Sequence, residues 1–295
     1  MNDHLQKIDQ TLEGWLPPQN LLFEAARYAL FGGGKRLRPL LTLATTSVLK
    51  GNTEAALAPA CTIELIHTYS MIHDDLPCMD DDDFRRGKPT LHRKYSEGHA
   101  VITGDFLLTY AFEKLATAPY ITAEQKEKMI ALLAIRSGSQ GMIGGQVSDL
   151  ASEGQTLSIN ALRSLHKKKT GALIVASIEF GAIVAHASTD HLESLKCFGE
   201  ALGLAFQVAD DILDVTDSQA KHGRTIASDI LNHKATYVSL LGLEQAIAFA
   251  HECRSEALNA LSTLPYDTAP LAAIIHDVLY RIDLSCKKYI SNTTL

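Results

Sequence analysis

The stretch "HDDLPCMDDDDFRR" (73–86) sets six aspartates in fourteen positions and follows them at once with two arginines. Two carboxylates about 4 Å apart repel by roughly 4 kcal/mol at an effective dielectric of 20. Such crowding is tolerable in bulk water or around a shared cation. A second acidic run, "FQVADDILD" (206–214), puts Asp210 and Asp214 one helical turn apart with Asp211 beside them. One cluster alone reads as a solvated helix end; two, each embedded in an apolar helical pattern, read as a divalent-metal site. An EF-hand is excluded, because counting from Asp80 the sixth position is Arg85, where glycine is required. All-oxygen donors with no nearby Cys or His pair point to Mg²⁺, with Mn²⁺ as the alternative. Mg²⁺ seldom takes a full protein cage and instead bridges carboxylates to substrate phosphates. The chemistry implied is that of a metal-held diphosphate.

Basic groups supply a second kind of anion site. "FGGGKRLRP" (31–39) places Lys35 and Arg38 three apart at the start of a helix, behind three glycines. Helix-terminal amides and two cations there would receive an anion. The spacing is not that of a P-loop. Arg85 and Arg86 follow the first acidic cluster, and Lys169 and Lys234 lie on or near later helices. Metal-binding carboxylates with separate cations suit two phosphorylated substrates, one held through metal and one held directly.

These groups must be positioned by helices. Apolar residues recur at spacings of three and four almost everywhere, and convincing alternating strands are absent. Helices are expected near 20–31, 37–50, 55–76, 98–117, 122–145, 158–166, 170–187, 190–214, 234–262 and 268–290. Thr122 with Gln125 and Asp190 with Glu193 mark helix starts, and Gly51 stands where a C-cap belongs. Pro77 stops the helix that carries Asp74 and Asp75. The chain can therefore swing Asp80 back toward Asp74, which a straight helix would forbid, since six residues turn it by about 600°. No linker is long enough to split the chain, so a single all-α domain over 1–295 is expected, a bundle of roughly ten helices around a central cleft.

Bulk numbers narrow the partners. Acidic residues (34) outnumber basic ones (27), for a net charge of -7, which argues against nucleic acid. Five cysteines without CxxC spacing read as reduced thiols. The start, "MNDHLQKIDQ", lacks the pattern of a signal peptide. No apolar run approaches the roughly 18 residues of a membrane span. A soluble, cytoplasmic chain with no membrane partner is expected.

In order along the chain, "GGKRLRP", "ELIHTYSMIHDDLPCMDDDDFRRGKPTLH", "ITGDFLLTYAF", "GMIGGQVSDL", "KTGALI", "FQVADDILD" and "KATYVSLLG" resemble the motifs of the all-trans polyprenyl diphosphate synthases. The resemblance covers nearly the whole sequence and leans to the bacterial branch that makes farnesyl diphosphate. It implies the isoprenoid synthase fold, a homodimer, and Mg-assisted condensation of isopentenyl diphosphate with dimethylallyl or geranyl diphosphate to (2E,6E)-farnesyl diphosphate. Carried over by position, Asp74, Asp80 and Asp210 would ligate magnesium around the allylic diphosphate, with Asp75, Asp211 and Asp214 behind them or acting through water. Arg85, Lys169 and Lys234 would contact that same diphosphate. Lys35, Arg38, His67 and Arg86 would hold isopentenyl diphosphate. Lys169, Thr170 and Gln207 would face the reacting carbons, and Gln146 and Asp149 fall in the GQxxD motif. One departure stands out: Arg224 occupies a position where the family has lysine, so a planar fork replaces a compact ammonium at that diphosphate contact.

Tyr69 lies five residues before Asp74, roughly 7.5 Å deeper at 1.5 Å per residue. The resemblance makes it the floor of the product pocket and implies a fifteen-carbon product. Three rival readings remain at this point. A terpene cyclase would share the metals, yet has no use for Lys35, Arg38 and Arg86. A phosphohydrolase of the HD type would need histidine ligands where this chain offers aspartates. An inactive partner subunit would tend to have lost the aspartates that this chain keeps.

Overall fold

Helical periodicity becomes helix along most of the chain in the computed structural model, which describes residues 2–155, 157–216 and 235–293. The order begins with α1 (Asn2–Trp15), α2 (Leu21–Leu30), α3 (Leu37–Val48) and α4 (Thr53–Asp74). A hairpin of β1 (Phe84–Arg85) and β2 (Lys88–Pro89) leads into α5 (Leu91–Lys94), α6 (Glu97–Ala116), α7 (Ala123–Ser137) and α8 (Met142–Ala151). Then come α9 (Ile159–His166), a π-helical turn (Lys167–Gly171), α10 (Ala172–Val184) and α11 (Thr189–Thr216). The chain ends with α12 (Tyr237–Leu241), α13 (Leu243–Ser262) and α14 (Ala269–Thr293). The all-α expectation is met.

Several boundaries differ from the sequence reading, each for a local reason. The helix expected over 122–145 is two helices. A Cβ on Gly141 would overlap the Arg136 carbonyl, so the chain turns there as only glycine permits, and Gly141 becomes the N-cap of α8. The helix expected over 234–262 is interrupted among its described residues at Gly242, whose φ of 81° is left-handed. The helices expected over 158–166 and 170–187 are joined through the π-turn. α1 had no counterpart in the expected elements. Its buried stripe is Ile8, Leu12 and, just past its end, Leu16, spaced by four.

The described residues form two compact units, one of 2–134 with 180–186, the other of 135–155, 157–179, 187–216 and 235–293. In the first, α4 is the spine, packed by α1, α3 and α6. Ile63, Leu65 and Ile66 are fully buried on it, at about 1.5–3 kcal/mol each. Asn52 caps its start by accepting from the amides of Glu54 and Ala55. In the second unit α11 is the spine, burying Phe198, Leu202, Ala205, Val208 and Ile212. Against it α13 sets a ridge of small and medium residues, Ala246, Ala250, Cys253, Ala257 and Leu261. Glycines bring backbones into contact around the π-turn: a Cβ on Gly203 would lie 2.9 Å from the Gly171 Cα, and one on Gly145 would overlap the Lys169 backbone.

Candidate functional site

In the first unit, α4 delivers its aspartates at its last turn. Asp74 ends the helix, and the chain bends so that the Asp80 amide donates to the Asp74 carbonyl at 2.9 Å. The return of Asp80 toward Asp74 inferred from Pro77 is therefore present in the backbone, with Asp81 left-handed (φ 51°) just beyond. Both carboxylate residues are half-buried. The next aspartate faces elsewhere. Asp75 is buried and receives the Arg85 guanidinium, Nε at 2.7 Å and Nη2 at 2.5 Å, while Nη2 also reaches Asp82 at 3.3 Å. A buried carboxylate needs such a partner. His73 braces this end of α4: its Nε2 donates to the Val101 carbonyl (3.1 Å), and its ring fills the space where Gly104 lacks a Cβ.

The hairpin aims the second arginine differently. Its register pairs Arg85 with Lys88, leaving Arg86 and Gly87 as the two-residue turn. Both are left-handed (φ 53° and 74°), the condition of a type I′ turn. From there Arg86 donates to the Gly33 carbonyl, and its guanidinium lies where a Cβ on Gly34 would come within 2.5 Å. The three-glycine loop, read from sequence as a cradle for an anion, is first a seat for this cation.

A pocket of about 60 Å³ opens in the same unit, lined by Arg36, His67, Arg85, Arg86 and Lys88, by Glu64 and Asp75, and by apolar residues that include Ala29, Leu30 and Ile72. His67 is kept neutral: desolvation, then the charges of Arg38, Arg86, Arg85 and Arg36, push its pKa well below the ordinary value. Arg36 turns inward from a left-handed backbone (φ 50°) and joins Glu64 and Asp9 at 3.0 Å each, tying α3 to α4 and α1. Lys35 is exposed and Arg38 half-buried at the start of α3, outside the pocket's lining. Tyr69 is buried on α4, its ring edge-on to His73 at 5.8 Å, its hydroxyl without a hydrogen-bond partner among the described residues. Desolvation, then Asp74, raises that hydroxyl's pKa to about 12.

The second unit assembles its expected residues into a relay. The π-turn carries Lys169 and Thr170; such turns recur at functional sites. Lys169 pairs with Asp149 of the GQxxD motif at 2.6 Å. Thr170 donates to Gln207 Oε1 (2.9 Å), Gln207 Nε2 donates to Asp211 Oδ1 (3.0 Å), and the Tyr237 amide donates to Asp211 Oδ2 (2.7 Å). Asp211 is buried, whereas Asp210 is exposed on the same helix and Asp214 half-buried. Lys234 and Arg224 lie outside the described residues.

Sequence reasoning missed four participants. Arg36, Glu64 and Asp9 gave no signal, since a buried ion pair between residues far apart in sequence has no local pattern. Lys88 could have been found from its place beside the hairpin turn. Among the described residues no three His, Cys, Asp or Glu side chains are gathered into a ready-made metal cage. The available donors still suit Mg²⁺, which takes one or two carboxylates beside phosphate oxygens; Asp74 and Asp80 offer that pair at one bend.

Residues 19–277 match the family model described as Polyprenyl synthetase. A farnesyl diphosphate synthase of Micrococcus luteus is 45% identical over 263 residues, 89% of this chain and 90% of its own. A chloroplastic geranylgeranyl pyrophosphate synthase of Capsicum annuum is 44% identical over 265 residues, 89% of this chain and 72% of its own. The crystal structure of a geranyltransferase from Helicobacter pylori, complexed with magnesium and isoprenyl diphosphate, superposes with a TM-score of 0.82 at 36% identity, covering 95% of this chain and 96% of that one.

Proposed function

The chain belongs to the polyprenyl synthetase family, and from that premise we propose that it makes (2E,6E)-farnesyl diphosphate from isopentenyl diphosphate and dimethylallyl or geranyl diphosphate. The observation that carries the reading is the pairing, within one unit, of an aspartate-bearing helix end with a pocket whose walls include His67, Arg86 and Lys88. One diphosphate can then be held through metal and another by cations alone. A cyclase would need only the first. The family match runs through both units, which supports one catalytic domain.

Asp74, Asp80 and Asp210 are the groups that would hold Mg²⁺ or Mn²⁺, which when bound offsets the charge of the leaving diphosphate. Arg85, Lys169 and Lys234 bind the allylic diphosphate, with Arg224 serving where relatives carry lysine. Lys35, Arg38 and Arg86 hold isopentenyl diphosphate, and neutral His67 donates an N–H without adding charge. When the allylic C–O bond breaks, the carbonyl of Lys169, the hydroxyl of Thr170 and the amide oxygen of Gln207 face the cation. The isopentenyl double bond attacks that cation, and the proton lost afterwards passes to the departed diphosphate.

A fifteen-carbon product is favoured over the twenty carbons of the Capsicum relative's product because Tyr69, bulky and buried five residues before Asp74, can close the floor of the chain pocket. A cytoplasmic homodimer, the assembly that the family resemblance implies, completes the reading. The test is incubation with labelled isopentenyl and geranyl diphosphates, with and without Mg²⁺. Asp74→Ala and Asp210→Ala should each lower turnover by about 10²-fold or more while circular dichroism is unchanged. Wild-type turnover in either variant would refute the metal assignment.

A further inference from the structure

We infer that Asp211, the middle acid of the second cluster, is a positioning residue that fixes which end of the Gln207 amide faces the reacting carbons; the inference rests on the prenyl-transfer reading above. A carboxylate oxygen only accepts hydrogen bonds. Both Asp211 oxygens are engaged, Oδ2 by the Tyr237 amide at 2.7 Å and Oδ1 by Gln207 Nε2 at 3.0 Å, and the residue is 3% exposed. Gln207 therefore has to turn its NH₂ toward Asp211, four residues along α11. Its oxygen must then point the other way, where the Thr170 hydroxyl donates to it at 2.9 Å. The Thr170 proton is occupied by that bond, so the hydroxyl oxygen also presents lone pairs outward. Two oxygens with their negative ends oriented before substrate arrives suit a developing carbocation, since dipoles set in advance need no reorganisation during the reaction. The Tyr237 amide anchors the far side of Asp211, so the start of α12 takes part in setting an amide on α11.

The same geometry dictates what asparagine would do. In Asp211→Asn the Tyr237 N–H still requires an acceptor and takes the new oxygen. The asparagine NH₂ is left facing Gln207, which must rotate by a half turn to offer its oxygen. Its own NH₂ then faces Thr170 and the substrate side, reversing the local dipole. Pairing Asp211→Asn with Gln207→Glu restores the order: the asparagine NH₂ donates to one glutamate oxygen, the other accepts from Thr170, and the charge of the pair is unchanged.

The experiment measures steady-state kinetics and melting temperature for the wild type, D211N, Q207E and the double variant Q207E/D211N. D211N should lose about 10²-fold in kcat, the scale of losing one preorganised dipole, with KM for both diphosphates within about threefold. The double variant should regain at least about tenfold over D211N and melt closer to the wild type. A D211N that retains wild-type kcat, or a double variant no better than D211N, overturns the positioning role. Should D211N fail to fold, recovery of both fold and turnover in the double variant supports it and failure of both overturns it. A wild type that does not condense the two diphosphates refutes the proposed function instead, and the pairing is then decided by whether the 207 and 211 substitutions couple in melting temperature.

Discussion

Arg85 and Arg86 are neighbours in sequence and part company in space. Arg85 is taken up by Asp75 and Asp82, while Arg86 leaves the turn toward Gly33 and Gly34. The acidic residues divide in the same way: Asp75 and Asp211 are buried and satisfied by protein donors, and Asp74, Asp80 and Asp210 stand at more accessible positions. Spacing alone does not distinguish these sets; the burial of each residue does. Tyr69 makes its prediction at this scale. Replacing a buried aromatic by alanine removes the floor that the proposed pocket requires, so Tyr69→Ala should shift product chromatograms from fifteen carbons to twenty and beyond. The cavity will also cost stability, about 3–5 kcal/mol as for other buried aromatics. An unchanged fifteen-carbon product would count against the role.

At the scale of elements, glycines decide how close the functional segments come. Gly145, Gly171 and Gly203 let α8, the π-turn and α11 touch through their backbones, and Gly104 admits the His73 ring. Gly34 does two things at once: it holds a φ of 133° that L side chains avoid, and it leaves room for the Arg86 guanidinium. Gly34→Ala should therefore lower stability by about 1–3 kcal/mol and raise the KM for isopentenyl diphosphate about tenfold, with a smaller effect on kcat. Kinetics with each substrate varied separately would check it, since an equal rise in both KM values would mean that the glycine loop serves no particular diphosphate.

For the molecule as a whole, half-buried histidines tie stability to pH. His166, recessed against the Tyr237 ring at 5.4 Å, has its pKa lowered to about 4, by desolvation first, with Asp149 opposing and Lys169 adding to the effect. The unfolded chain, with a histidine pKa near 6.5, binds more protons than the folded one between those values. Stability is thus fully present above about pH 6.5 and falls as the pH drops toward 4, by about 3 kcal/mol for this group. His67 acts in the same direction. His166→Phe should flatten the fall in urea midpoint between pH 7 and 4 without abolishing it. An unaltered slope would show that His166 takes up its proton as readily in the folded protein as in the unfolded one.

The sequence by itself determined the helical class, the two acidic clusters and the bend after Pro77, because periodicity, charge spacing and proline act within a few residues of the chain. It also carried the family motifs, in order. It left α1 unread and ran α7 into α8, since a short amphipathic stripe and a glycine fold-back depend on what packs against them. Only the tertiary structure decided that Arg36 is neutralised by Glu64 and Asp9, that the glycine loop seats Arg86, and that Asp211 orients Gln207. Each of these joins residues far apart in the chain or separated by a helical turn, and their energies come from burial and from hydrogen bonds that water no longer contests.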